Sequence, residues 1–117
     1  MATDTRSFEL RTYVAAPGKL DALLTRFRDH TTALFEKHGI TNVGYWVATD
    51  DDGKPTETLI YLVAHASREA AKESWAAFQA DPDWISVRAA SESAAGGSLT
   101  ASVKSVYLDP TDFSELH

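Results

Sequence analysis

The 117-residue sequence contains no cysteine, which excludes a disulfide scaffold, a thiolate metal site and a cysteine nucleophile. It also lacks any run approaching the roughly 20 apolar residues that a helix needs to span a bilayer. The N-terminal stretch MATDTRSFEL has no apolar centre like that of a signal peptide. We therefore expect a cytoplasmic protein with no membrane partner, since a cysteine-free chain fits a reducing compartment.

Basic charge is also scarce. Lys and Arg total 11 against 17 Asp and Glu, which gives a formal net charge of −6 at pH 7. Proteins that bind nucleic acids usually carry a basic stripe. The nearest candidate is Arg26, Arg28 and Lys37 on one predicted helix, and Asp29 and Glu36 interrupt it. We predict no nucleic-acid partner, because phosphate binding depends on such a stripe.

Motifs for metals and cofactors are missing as well. His30 and His38 lie two turns apart, whereas a helical zinc pair needs i and i+4 spacing and a third ligand. There is no recognisable Ser-His-Asp motif and no glycine-rich phosphate loop. We predict no metal and no cofactor. His38, beside Gly39, is expected to hydrogen-bond at a helix end and is a second candidate for ligand contact or acid-base chemistry.

The sequence does contain clear periodic patterns. Alternating side chains rich in β-formers predict four strands, over residues 7–15, 40–49, 57–65 and 98–108. Apolar residues at three- and four-residue spacing predict a long helix over 18–38. Ser67 and Asp81 are good N-caps and predict two more helices, and Asp50 to Gly53 predicts a hairpin between the second and third strands.

The predicted order is β-α-β-β-α-(α)-β, which is the split βαβ pattern of ferredoxin-like α+β folds. We predict one domain over residues 1–117, with its core at about residues 7–109. Its four-stranded antiparallel sheet should carry the helices on one face.

The second face of that sheet also needs a cover. The strand over 57–65 is apolar on both sides, with Tyr61 and Val63 on one and Ile60 and Leu62 on the other. A strand of this kind is normally covered on both faces, and soluble proteins rarely expose a large apolar patch. We therefore predict a two-fold homodimer that pairs sheet to sheet.

The first strand has one apolar side and one side that carries Glu9, Arg11 and Tyr13. We expect the apolar side to face the helices and the polar side to face the second copy. Two interpretations remain open. Arg11 holds an anionic or carbonyl group of a ligand while Glu9 or Tyr13 moves a proton, or these residues form a paired ion and hydroxyl buried between subunits.

Several aromatic residues are candidates for the walls of a ligand site. We predict that Tyr45, Trp46 and Tyr61 line a pocket for a planar organic molecule. Trp75 and Phe78, at helical spacing, are predicted to be core. A cavity of roughly several hundred Å³ between sheet and helices, touching Tyr13, Trp46 or Tyr61, would favour a ligand, and a filled core would contradict it.

The segments FELRTY, PGKL, VGYW, AAFQADPDW and LDPTDFS follow one another in an order that resembles the NIPSNAP family, from about Phe8 to Phe113. The resemblance implies a dimeric α/β barrel, in which subunits with ferredoxin-like folds pair through their sheets. It also implies similarity of fold to cofactor-independent monooxygenases, muconolactone isomerases and haem-degrading proteins. It assigns no catalytic residue, because a fold does not determine a function.

We therefore predict a NIPSNAP-like homodimer that binds a small apolar or aromatic organic molecule. The resemblance implies a cofactor-independent monooxygenase or isomerase as the activity to consider. The alternative is a non-catalytic oligomerisation or interaction module, in which the polar side of the first strand only fixes the dimer. The two differ in whether Arg11 has an unpaired donor that points into a cavity.

Overall fold

The computed structural model describes residues 6–117. Its strands are β1 (Ser7–Ala15), β2 (Thr41–Thr49), β3 (Pro55–His65) and β4 (Thr100–Leu108). Its helices are α1 (Leu20–Arg26), α2 (Thr32–Lys37), α3 (Arg68–Ala80) and α4 (Pro82–Ala95), and a π-helical segment (Phe27–Thr31) joins α1 to α2. Within the described part of the chain, no helix is long and apolar enough to cross a membrane. The predictions of a missing signal peptide and of a domain that starts at residue 1 fall partly on residues 1–5, outside the described residues.

The four strands form one sheet in the order β2-β3-β1-β4. Each neighbouring pair is antiparallel. This order and the helix connections confirm the predicted ferredoxin-like α+β fold.

Residues chosen from the sequence begin and end the elements. The Ser67 side chain accepts a hydrogen bond from the Ala70 amide at 3.0 Å and caps α3, and the Asp81 carboxylate accepts one from the Asp83 amide at 2.8 Å and caps α4. Gly39 follows the end of α2 and has a positive φ of 80°, a conformation that glycine adopts without a Cβ clash. β3 begins at Pro55, two residues earlier than predicted, because proline is tolerated at the first position of a strand.

The predicted long helix is interrupted in its middle. Over Phe27–Thr31 the backbone widens into a π-helical turn. The hydroxyl groups of Thr31 and Thr32 donate to the carbonyl oxygens five residues earlier, those of Arg26 and Phe27, at 3.3 and 3.1 Å. π-Helical turns of this kind often occur at functional sites, and this one directly follows Arg26.

The core lies between the sheet and the helices. Its side chains are at most 5% exposed, and burying each one contributes about 1.5–3 kcal/mol. The main contributors are Leu23 and Phe27, Phe35 of α2, and Leu59, Tyr61 and Val63 of β3.

The predicted orientation of β1 was wrong. Glu9, Arg11 and Tyr13 face the helices, not a second copy: the Trp75 indole of α3 donates to Glu9, and the Tyr13 ring lies 5.7 Å from that of Phe27. The register explains this, because Arg11 pairs with the core residue Tyr61 and directly opposed residues share a face. Hydrogen bonds make this burial of charge tolerable.

The other face of the sheet, here called the open face, carries the apolar side of β1. Leu10 pairs with Leu62 of β3 and with Val106 of β4, so these three side chains share that face. Trp46 pairs with Ile60 and lies there too. Trp46 and Val106 are each 55% exposed. No helix among the described residues covers this apolar surface, since the contacts of α1 to α4 with the sheet run through the core face.

Candidate functional site

The centre of the site is the buried carboxylate of Glu9, which is 1% exposed. It accepts hydrogen bonds from Arg11 Nη1 at 2.6 Å, Trp75 Nε1 at 2.8 Å, His65 Nε2 at 2.9 Å and the Ser105 hydroxyl. Four donors from three strands and a helix therefore converge on one carboxylate. This arrangement satisfies the requirement that a buried charge be paired and hydrogen-bonded.

The environment of Glu9 changes its acidity. Burial by itself raises the pKa of the carboxyl group, but hydrogen bonds from His65, Ser105, Trp75 and Arg11 outweigh burial and lower the pKa from 4.5 to about 2. Glu9 is therefore ionised at neutral pH and serves as the counter-charge of Arg11.

Acid should destabilise the protein through Glu9. Because the folded-state pKa lies below the ordinary value, the stabilisation is complete above about pH 4.5 and is lost as the pH falls towards about 2. We expect the free energy of unfolding, measured by urea titration, to fall over this range, and less steeply in Glu9→Gln.

Asp81 contributes a slope of the same sign, because hydrogen bonds from Lys37 and His38 lower its pKa. The informative quantity is therefore the difference in slope between wild type and Glu9→Gln. Equal slopes in the two proteins would contradict the role given to Glu9.

Arg11 connects Glu9 to two phenols. Its Nε donates to the Tyr61 hydroxyl at 2.8 Å and its Nη2 donates to the Tyr13 hydroxyl at 3.1 Å. The Tyr61 hydroxyl also donates to that of Tyr13 at 3.0 Å. Burial raises the pKa of Tyr61, which keeps it a protonated donor. Of the five N–H groups of an arginine, these contacts and the Glu9 pair use three, so two remain without an acceptor among residues 6–117.

A cavity of about 670 Å³ opens beside Arg11 and Tyr13, between the sheet and helices α3 and α4. Trp75, Phe78 and Trp84 form aromatic walls. Its charged lining residues are Arg11, Arg26, Arg88 and Glu92. A second cavity of about 620 Å³ lies between α1 and α4 and shares Arg26 with the first. The first has the size and the mixed lining of an ordinary small-molecule site.

The structure separates the predicted aromatic wall residues. The Tyr61 hydroxyl lies beneath the site, and the Tyr45 ring stacks on the Tyr61 ring with centroids 4.9 Å apart. Neither tyrosine lines the cavity of about 670 Å³. Trp46 is on the open face, because it pairs with Ile60 and not with Tyr61. The prediction that Trp46 lines a pocket together with Tyr61 was wrong, since neighbouring residues of a strand such as Ile60 and Tyr61 point to opposite faces.

His38 lies away from the cavity, at the end of α2. Its Nε2 is 2.7 Å from the Asp81 carboxylate, which also accepts from Lys37 Nζ at 2.8 Å. Asp81 joins α3 to α4 and caps α4. This cluster therefore fixes the C-terminal end of α2 against the junction between α3 and α4. Hydrogen bonding at a helix end was the expected role of His38. Among residues 6–117 there is no group of three or more potential metal ligands.

Sequence reasoning missed Arg26, Arg88 and Ser105 as site residues and treated Trp75 as plain core. Arg26 was considered only as part of an interrupted basic stripe on its helix, yet it is 7% exposed. The sequence contains a signal for the burial of Arg26: this residue follows Leu23 by three positions, and residues at that spacing share one side of a helix. Ser105 is opposite Arg11 in β4, a register that only the folded sheet provides.

The structure is similar to several solved structures. A NIPSNAP family protein of unknown function from Agrobacterium tumefaciens superposes with a TM-score of 0.81 at 23% identity, over 99% of this chain and 97% of that one. A second NIPSNAP family protein from the same organism gives a TM-score of 0.79 at 25% identity, over 96% and 99%. A putative antibiotic biosynthesis monooxygenase from Chloroflexus aurantiacus gives 0.58 at 18%, over 97% and 100%, which shows likeness of fold alone.

Comparison with protein families agrees with these structures. No curated protein matches the chain. The NIPSNAP family profile matches residues 8–115, which is almost the whole sequence and includes the Glu9 network and all the described strands and helices except Ser7, the first residue of β1. The chain belongs to the NIPSNAP family.

Proposed function

We propose that this protein binds a small, mostly apolar or aromatic organic molecule in the cavity between its sheet and helices α3 and α4, as one subunit of a homodimer. The observation that carries the proposal is the cavity of about 670 Å³ with Arg11 and Tyr13 at its side. A filled core at this place would have left the polar residues of β1 with a structural role only.

The hydrogen bonding of Arg11 also supports a ligand site over a fixed ion pair. Arg11 lines it and keeps two N–H groups free of acceptors among the described residues. Its charge is held in place by Glu9, so the guanidinium is preorganised and loses little freedom when a ligand binds.

The reaction that these groups best support is a proton transfer without a cofactor, as in an isomerase. The Tyr13 hydroxyl accepts from Arg11 and Tyr61, which leaves its own proton free for a ligand oxygen. The nearby guanidinium stabilises negative charge that develops on the ligand. The alternative reaction, a cofactor-independent monooxygenase, rests on the likeness of fold to the Chloroflexus protein.

Blocking the cavity should abolish binding. We expect Ala89→Phe, on the cavity-facing side of α4, to weaken binding of a neutral aromatic probe, naphthylmethanol, by at least about tenfold in calorimetric titration. The matched control is Ala77→Phe on α3, at an exposed position outside the cavity lining, and it should bind like wild type. Native mass spectrometry of the purified protein should reveal a copurified organic molecule that Ala89→Phe lacks. Equal binding by both variants would contradict the proposal, and so would a wild type that binds neither this probe nor its carboxylate analogue, naphthoate.

The open face supports the homodimer in the proposal. It presents Val106, Trp46 and Leu108, all at least 39% exposed in the single chain, and soluble proteins rarely leave such a patch uncovered. A second copy can cover it by an isologous contact of the same face. This face alone also favours the alternative function, an interaction module without a ligand, and the cavity is the reason to prefer ligand binding.

Light scattering should give a mass of about twice the 12.8 kDa of one chain. Val106→Lys, on the open face, is expected to shift the mass towards one chain, because a buried unpaired charge is costly. Val103→Lys is the matched control, since Val103 lies on the opposite side of the same strand and is 45% exposed. A monomeric wild type at micromolar concentration would overturn the homodimer.

A further inference from the structure

The cavity beside Arg11 and Tyr13 is lined by a buried cation, Arg26, that has no counter-charge within 4 Å among the described residues. Arg26 is 7% exposed, and within residues 6–117 it forms no ion pair within 4 Å. Its Nη1 donates to the Ser91 hydroxyl at 3.2 Å, and its Nε has no hydrogen-bond partner in the same range of residues. Buried charges in proteins are nearly always paired, so Arg26 differs sharply from Arg11, which has Glu9.

The charged groups around Arg26 do not neutralise it. Arg88 repels it and Glu92 attracts it, and Glu92 lies 3.5 Å from Arg88 Nε, with which it pairs. Burial lowers the pKa of Arg26, which is the sign of a cation short of compensation. Three of the protein's 11 basic residues line this cavity, against one of its 17 acidic residues. The cavity is therefore locally cationic in a protein of net charge −6.

Flat apolar surfaces flank these cations. The Arg26 guanidinium carbon lies 5.1 Å from the Trp84 ring centroid, and that of Arg11 lies 4.3 Å from the Trp75 ring centroid. The Trp84 ring is tilted by 31° against Phe78, with centroids 4.6 Å apart. A cavity with aromatic walls and a guanidinium at their edge suits a planar ring that carries an acidic group.

We propose that the ligand of this cavity is a small aromatic carboxylate, whose ring lies against Trp75, Phe78 and Trp84 and whose carboxylate is bound by Arg26. Arg88, at the exposed rim, contributes attraction at longer range. This rests on the proposed function, because it specifies the ligand of the same cavity. A carboxylate accepts two parallel N–H bonds from one guanidinium, and it would supply the counter-charge that Arg26 lacks among residues 6–117.

The test compares two probes that share a naphthyl ring and differ in its polar group, an anionic carboxylate in one and a neutral hydroxymethyl group in the other. Naphthoate and naphthylmethanol are titrated calorimetrically at neutral pH and low salt into the full chain. We expect naphthoate to bind at least about tenfold more tightly. Its dissociation constant should rise with sodium chloride, since the screening of charges weakens ion pairing, while that of the alcohol should stay constant.

Variants assign the effect to Arg26. Arg26→Gln should remove the preference for naphthoate and keep the affinity for naphthylmethanol. Arg28→Gln, at an exposed position two residues along the same helical segment, should keep the full preference. Arg88→Gln gives a smaller loss of preference and serves as the second variant if Arg26→Gln does not fold. Equal affinity of wild type for the two probes would overturn the carboxylate assignment, and so would an undiminished preference in folded Arg26→Gln; either result leaves the cavity as a ligand site. If Arg26→Gln does not fold, an undiminished preference in Arg88→Gln overturns the assignment. Failure of both probes to bind would overturn the proposed function as well.

Discussion

Replacing Glu9 with alanine should lower the free energy of unfolding by about 3–5 kcal/mol, the cost of breaking a buried ion pair by removing one partner. The physical reason is what the change leaves behind. Arg11, 17% exposed at its side chain, loses its counter-charge. His65 and Trp75, both bonded to the same carboxylate, lose their acceptor in a site that water reaches poorly. Urea denaturation at neutral pH measures the effect.

The control for Glu9→Ala is Glu73→Ala, at an exposed position on α3, which should change stability by less than about 0.5 kcal/mol. Arg11→Ala should also be costly, since it strands Glu9. The double variant should cost less than the sum of the two by at least about 1 kcal/mol, because residues of one network couple. Additive effects, or a cost of Arg11→Ala below about 0.5 kcal/mol, would show that this face of β1 is solvated.

Phe35→Ala should also cost about 3–5 kcal/mol, the range for removing a buried phenyl ring from a core. Phe35 is 1% exposed. Four rings surround it, with centroids 5.1 to 6.1 Å away: Phe27, Tyr61, Trp75 and Phe78. Phe27, Tyr61 and Phe78 are themselves packed in the core, so they can close the space only in part and a cavity would remain. The loss should appear in both the urea midpoint and the thermal transition.

Phe113→Ala is the matched control for Phe35, since Phe113 is 84% exposed in the C-terminal segment. Its removal should change the stability of the single chain by less than about 0.5 kcal/mol. Similar losses in the two variants would contradict the placement of the core between the sheet and the helices.

Most of the fold could be predicted from the sequence because local signals agreed with one another. The alternation that predicts β1 gives its ends correctly, and the N-caps Ser67 and Asp81 locate the two later helices. The assignment of faces failed for a physical reason. β3 is apolar on both sides, so nothing local says which side meets the helices, and a one-residue choice of register inverts every side chain.

The site was harder to predict than the fold. Glu9, Arg11 and Tyr13 could be selected because polar residues in a row on a strand need an explanation. Arg26 could not be selected in the same way, because its burial depends on the packing of α4 over α1. Ser105 is brought to Glu9 by the pairing of β1 with β4, a contact between residues 96 positions apart, and single-sequence patterns do not encode such distant pairs.

The cavity and the open face lie on opposite sides of one sheet, and this separation has a consequence for stoichiometry. Each chain carries the whole of its own site, so saturation should occur at one equivalent of ligand per chain. In the homodimer proposed above, pairing through the open face would add no group to either cavity and remove none. The apparent affinity for a ligand should therefore not depend on protein concentration, and binding should be non-cooperative, with a Hill coefficient of about one.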